Sequence, residues 1–255
     1  MKRFTALLLI FCLVFMVIGC GGTAEKPDNG ATTEDPVEDP EDDSGDDPGE
    51  DPAEEPTQLE AFYQIEEIYD IVKNFKELSY TFSDPSSVLT VDYQYKGEDT
   101  VGGSSADHVS ISISQEGDIT EVEIWMDGSG NVLQAVLDGQ ELDAMQAPMA
   151  TIFLTIILVP FVMHAGEWEE AFVSNGYEQL GWVVTNRSQE SRNFGAVSAT
   201  VHQYSFNIKD LGGGQDLSYR FEVAEISGKS MFVGWEIDVD QEHTSSFKVD
   251  RVITR

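Results

Sequence analysis

The sequence predicts an α+β domain: a strongly curved antiparallel sheet of about nine strands, with an N-terminal helix and a central apolar helix on its concave side. Three observations predict it. Apolar and polar residues alternate in one segment after another between Leu89 and Val249, the pattern of antiparallel strands with one covered face. Short glycine-bearing links, such as Asp127-Gly128-Ser129-Gly130-Asn131, separate those segments and read as hairpin turns. One long uncharged stretch interrupts them near the middle; a helix apolar nearly all round is buried in protein or in a membrane.

The elements follow in chain order. Lys2 and Arg3 precede an uncharged run from Phe4 to Gly22, and a short basic start before an apolar stretch is the export-signal pattern. The run holds Val17-Ile18-Gly19-Cys20, which resembles the bacterial lipobox. That resemblance implies a signal peptide over residues 1–19, cleavage before Cys20, and a palmitate-type acyl anchor on its thiol. Two or three acyl chains hold a protein firmly, whereas one binds marginally. The alternative is an uncleaved transmembrane anchor, since about 20 apolar residues span a bilayer. Both readings place the remainder outside the cytoplasm. The other cysteine, Cys12, lies in the same run. The mature domain is therefore expected to use no disulfide, no thiolate nucleophile and no thiolate metal site.

Residues 20–58 read as a lipid-anchored, acidic, proline-rich, disordered tether. Thr23 to Glu60 holds sixteen Asp or Glu, six Pro and one Lys. With almost no large apolar residue it cannot offset the entropy of ordering, and extended it reaches on the order of 100 Å. A weak cation-binding tail is the other reading, without regular ligand spacing behind it. The chain carries −33 overall, and Ala61 to Arg255 contributes 31 acidic against 11 basic residues, a net charge of −20. Nucleic acid is excluded as a partner, because phosphate binding needs clustered Lys and Arg. Adsorption to anionic lipid is disfavoured for the same reason.

Residues 59–255 read as one folded domain. Phe62, Ile65, Tyr69, Val72 and Phe75 recur at helical spacing, so Leu59 to Ser79 is expected to be a helix, with a strand starting within Leu78–Phe82. Alternating strands follow through Leu89–Tyr95, His108–Ser114, Glu121–Met126, Leu133–Leu137, Leu180–Val184, Val197–Ile208, Leu217–Val223, Met231–Val239 and Phe247–Val249. The apolar positions of Val197–Ile208 switch parity, which predicts a bulge near Val201 or His202. Gly212-Gly213-Gly214 and Ser227-Gly228-Lys229 mark turns.

Ala144 to Gly166 reads AMQAPMATIFLTIILVPFVMHAG. As one helix it is about 35 Å long, with Pro148 in its first turn and a kink at Pro160. It is a second transmembrane span, a plain core helix, or a helix bordering an apolar cavity under the sheet. The acidic flanks Glu141, Asp143, Glu167, Glu169 and Glu170 count against the span. Met149, Ile152, Ile156 and Met163 are the residues expected to line a cavity.

The stretch FKELSYTF, then YQYKGEDTVGGSSADHVSISI, then VEIWMDGSGNVLQAVLDGQ, resembles the LolA-like and LppX/LprG-like lipoproteins over Leu59 to Gln140. The resemblance implies a half-barrel closed by helices whose cavity holds acyl chains. A lipid or another apolar small molecule is then the expected ligand, and the membrane a partner through the lipid on Cys20. The alternative is a structural lipoprotein docking a protein partner. No enzymatic chemistry and no cofactor are expected. The sequence has no GxSxG elbow or HExxH, and His108, His164, His202 and His243 are scattered. Asp127, Ser129 and Asn131 mimic the start of a calcium loop, but Val132 stands where its glycine belongs and Asp138 where its final glutamate does. That segment reads as a turn. Asp238, Asp240 and Glu242 read as a solvated strand face, with a surface cation site as the alternative; no metal is expected.

Overall fold

Period-two patterning becomes strand in the computed structural model, which describes residues 59–162, 167–174, 176, 184–208 and 216–255, all within the unit Glu54–Arg255. The signal and tether, with Cys20, lie outside the described residues. The helix α1 (Ile68–Asn74) leads into β1 (Phe75–Asp84), β2 (Ser87–Val101), β3 (Ser104–Gln115), β4 (Asp118–Met126), β5 (Val132–Leu137) and β6 (Gln140–Glu141). A 3-10 turn (Ala147–Ala150), α2 (Thr151–Ile156), α3 (Val159–Val162) and α4 (Glu167–Ser174) follow. Then come β7 (Val184–Phe194), β8 (Val197–Ile208), β9 (Leu217–Ile226), β10 (Lys229–Val239) and β11 (Glu242–Thr254).

The strands form one antiparallel sheet in the order β6-β5-β4-β3-β2-β1-β11-β10-β9-β8-β7. It is two meanders joined where β1 pairs with β11, from Phe75↔Thr254 to Ser83↔Ser246. The sheet is not closed; β6 and β7 are its edges. Its second half curls. Gly195, in the β7–β8 turn, lies against β11 although three strands separate β7 from β11: a Cβ on Gly195 would stand 2.8 Å from Arg251 Cγ.

The count of eleven strands corrects the expected nine. β6 is a two-residue edge. Part of β1 hides under a helical spacing, and β7 (VTNRSQESRNF) shows no apolar alternation because an edge strand can present polar residues on both faces. Of the strand expected over Leu180–Val184, residues before Val184 lie outside the described residues, as does the glycine turn 212–214.

The expected helix from Leu59 to Ser79 is also corrected. Only Ile68–Asn74 is helical. Asp70 Oδ2 accepts from the backbone N–H groups of Glu66 and Glu67 at 3.0 and 2.9 Å and so sets the helix start. Upstream the chain is extended. Phe62 forms a parallel bridge with Ser230, Tyr63 N–H donates to Ser230 O, and Ser230 N–H donates to Ala61 O. Phe62, Tyr69, Val72 and Phe75 are buried as their spacing requires, but an aromatic cluster decides the backbone. Phe62 stacks on Phe232 at 5.3 Å and meets Phe172 edge-on at 6.4 Å. Around them pack Leu59, Tyr204, Phe206, Phe221 and Val223. Large ring burial and edge-to-face geometry outweigh the weak helix preference of one turn.

No bulge switches the face of β8. It runs in unbroken register against β9, from Val201↔Ala224 to Ile208↔Leu217. Val201 and Ala224 on one face and Val223 on the other are all fully buried. The parity change arises because this end of the sheet is covered on both faces.

The central helix differs most from expectation. It is not one rod but the 3-10 turn, α2 and α3, with residues 163–166 outside the described set. Asp143 starts it: its Oδ1 accepts from the N–H groups of Met145 and Gln146, both at 2.9 Å. Pro160 ends α2. It has no N–H to give the carbonyl of Ile156 four residues back, and its ring crowds that carbonyl. The last turn tightens instead, with Ile157 N–H bonded to Leu154 O and Leu158 N–H to Thr155 O at 3.2 and 3.1 Å. The freed Ile156 carbonyl accepts from the hydroxyl of Tyr80 on β1, a side chain 1% exposed. Phe161, one residue on from the proline, packs its ring 5.1 Å from that of Phe75. None of the helices among the described residues is long and apolar enough to cross a membrane.

Candidate functional site

The broken central segment has two sides. Ala150, Leu154 and Ile157 are fully buried against the sheet. On the other side Met145 is 88%, Met149 55% and Ile152 40% exposed. The turn that carries Met149 packs beside β5, where Leu142 N–H donates to Ala135 O at 2.9 Å. Leu133 of β5 is 38% exposed as well.

The four residues expected to share one stripe do not share a setting. Met149 and Ile152 face water, Ile156 is buried, and Met163 lies outside the described residues. The stripe requires one continuous helix, whereas Met149 sits in the 3-10 turn, and Ile152 and Ile156 share α2 yet differ in how neighbouring elements cover them. What the segment offers is an apolar surface rimmed by the exposed acids Glu141 and Asp143. It can exclude water from a hydrocarbon or apolar partner.

The polar groups elsewhere are engaged in holding strands together. Asp107 of β3 accepts from the hydroxyls of Tyr69 and Tyr95, the latter at 2.8 Å. Arg255 lies over the Tyr95 ring at 3.8 Å and donates to Tyr95 Oη and Val72 O at 3.0 and 2.9 Å. Burial, then the Asp107 hydrogen bond, push the phenols of Tyr69 and Tyr95 up to about 12. They stay protonated and act as donors. This knot fixes α1 and the C-terminal Arg255 to β2 and β3.

On the opposite face of β3, His108 stacks on Trp125 with ring centroids 4.1 Å apart. Burial lowers the His108 pKa despite Glu123 at 3.8 Å, which keeps the imidazole neutral near neutral pH. Trp125 Nε1 donates to Asp99 at 3.0 Å. His202, also lowered by burial, is part of the β8 packing. His164 lies outside the described residues.

Asp127 forms a turn, as its sequence setting predicts. Its Oδ1 accepts from Ser129 N–H at 2.8 Å and Asn131 N–H at 3.0 Å, and its Oδ2 from Asn131 Nδ2 at 3.0 Å. Asp238, Asp240 and Glu242 do not act as one face. Asp240 sits in the β10–β11 turn and accepts from Asp216 N–H at 2.9 Å.

Sequence reasoning missed one partly buried charge pair. Arg192 of β7 donates two bonds, at 2.6 and 2.8 Å, to Glu222 of β9, which also accepts from Gln203 at 3.0 Å. The Glu222 carboxylate lies across Gly234, where an added Cβ would collide with Oε2. A glycine inside an otherwise clean alternating strand is the available signal.

No family model and no curated protein matches the chain. Among solved structures, a Bacteroides fragilis chain described as a candidate exported protein with a YmcC-like fold is similar at a TM-score of 0.26 and 11% identity, over 77% of this chain and 100% of that one. The likeness to LolA-like proteins is not confirmed by these comparisons.

Proposed function

We propose that this chain is an exported lipoprotein, anchored through Cys20, whose sheet domain binds an acyl chain or comparable apolar molecule along the exposed side of its central segment. The observation that carries the reading is the exposure of Met145, Met149 and Ile152. They lie on a stretch that is uncharged from Ala144 to Val162 and anchored by fully buried residues on its other side. Large apolar side chains left exposed close together in the chain are the kind of surface that interaction sites use. Methionine adapts to irregular apolar partners. The tether supplies reach, and the lipobox supplies the bilayer as both support and ligand source. A second reading, docking of a protein partner, is favoured by the filled aromatic core under the sheet; it uses the same surface without needing a cavity.

Native mass spectrometry of the purified domain, with and without added phospholipid, tests the proposal. Co-purifying lipid that is lost in a Met149→Asp, Ile152→Asp variant with unchanged circular dichroism is the expected result. Both positions already face water, so the variant should fold. Lipid-free protein that also fails to take up an apolar fluorescent probe would overturn the ligand reading.

A further inference from the structure

The β10–β11 hairpin gathers three donor side chains on the face of the sheet that turns away from Trp235 and Phe247. In β10, Glu236 pairs with Ser246 and Ile237 with Ser245, but Asp238 pairs with His243. Regular pairing would have set Asp238 opposite Thr244. The register shift leaves Thr244 as the extra residue and turns His243 to the side of Glu236 and Asp238, as bulges re-aim side chains. His243 Nδ1 lies 3.4 Å from Asp238 Oδ1 and 3.7 Å from Glu236 Oε1. One ligand atom from each of the three lies within 4.8 Å of the others.

We propose that Glu236, Asp238 and His243 bind a divalent transition-metal ion of the zinc type. Bonds of about 2.0–2.2 Å at tetrahedral angles separate neighbouring donors by about 3.4 Å, so the ion needs only small side-chain movements. One imidazole beside two carboxylates suits zinc and its neighbours, whereas calcium takes oxygen ligands. Three protein donors leave a coordination position open to water or a ligand. Arg220 donates to Glu236 Oε2, which leaves Oε1 on the His243 side and orients the carboxylate from the outer shell. A domain of net charge −20 raises the local concentration of cations. The site does not depend on the apolar-ligand reading.

Calorimetric titration of the full chain with zinc, in excess calcium to occupy the acidic tether, tests the site. One zinc is expected to bind, with affinity reduced about tenfold or more in His243→Ala and in Asp238→Asn. Their calcium binding and circular dichroism should match wild type. In the wild type, zinc should shift the His243 ring nitrogen resonances ahead of those of the other histidines. Equal zinc affinity in wild type and His243→Ala, displacement of zinc by calcium, or unmoved His243 resonances would each show only a histidine–carboxylate ion pair and overturn the proposal.

Discussion

Removing the Tyr80 hydroxyl tests how the central segment is held. Pro160 leaves the Ile156 carbonyl without its helical partner, and the fully buried Tyr80 supplies the replacement. Tyr80→Phe keeps the ring, which packs 5.2 Å from that of Phe247, and deletes one donor. A buried acceptor left unsatisfied costs about 1–3 kcal/mol. In a domain of this size each kcal/mol lowers Tm by about 2–4 °C, so a drop of about 2–12 °C is expected. Urea denaturation gives the free energy directly. The second half of the cycle is Pro160→Ala, which restores an N–H able to reach the Ile156 carbonyl. In that background Tyr80→Phe should cost less than half as much, because the acceptor has another donor. An equal cost in both backgrounds would refute the account of Pro160. A cost below about 0.5 kcal/mol in the wild-type background would show that the hydroxyl contributes nothing net.

Three further outcomes follow from the structure. Gly234→Ala should destabilise by about 1–3 kcal/mol, because the added Cβ displaces a carboxylate that Arg192 and Gln203 hold; the loss should shrink in a Glu222→Ala background, measured by denaturant midpoint. Burial raises the carboxyl of Glu222, but the Arg192 and Gln203 bonds with the Arg192 charge bring it net below its ordinary value. A depressed folded-state pKa adds stability above the ordinary carboxyl range, about pH 4, that is lost as pH falls through the folded value; wild type should therefore lose more stability than Glu222→Gln on acidification, and parallel curves would contradict the pairing. Cys20→Ser should yield an unprocessed precursor without lipid, and normal lipid labelling of that variant would remove the lipobox reading.

How far the sequence carried depended on whether local pattern or tertiary contact decided each element. The antiparallel sheet was legible because alternation over Leu89–Tyr95 or Glu121–Met126 records a covered and a more open face. At β7 the same logic failed, since the sequence of an edge strand records no covered face. Phe62 was misplaced for the opposite reason: its spacing to Tyr69 is helical, but rings from distant elements bury it more effectively in an extended chain. Pro160 was legible as a break, whereas its consequence was not. A proline announces an orphaned carbonyl but not the donor, and nothing local points to Tyr80, 76 residues away. The exposure of Met149 and Ile152 was not legible either, because a stretch apolar nearly all round marks no polar face and only its packing against neighbouring elements decides which side is covered. Asp238 was noticed in an alternating set with Asp240 and Glu242, yet the residue that the fold brings beside it, His243, enters through a one-residue shift in pairing. Register is written in how two strands fit together. For this chain the open questions of function lie at such places, a helix break and a strand bulge, where the local pattern stops being periodic and side chains are aimed by their neighbours.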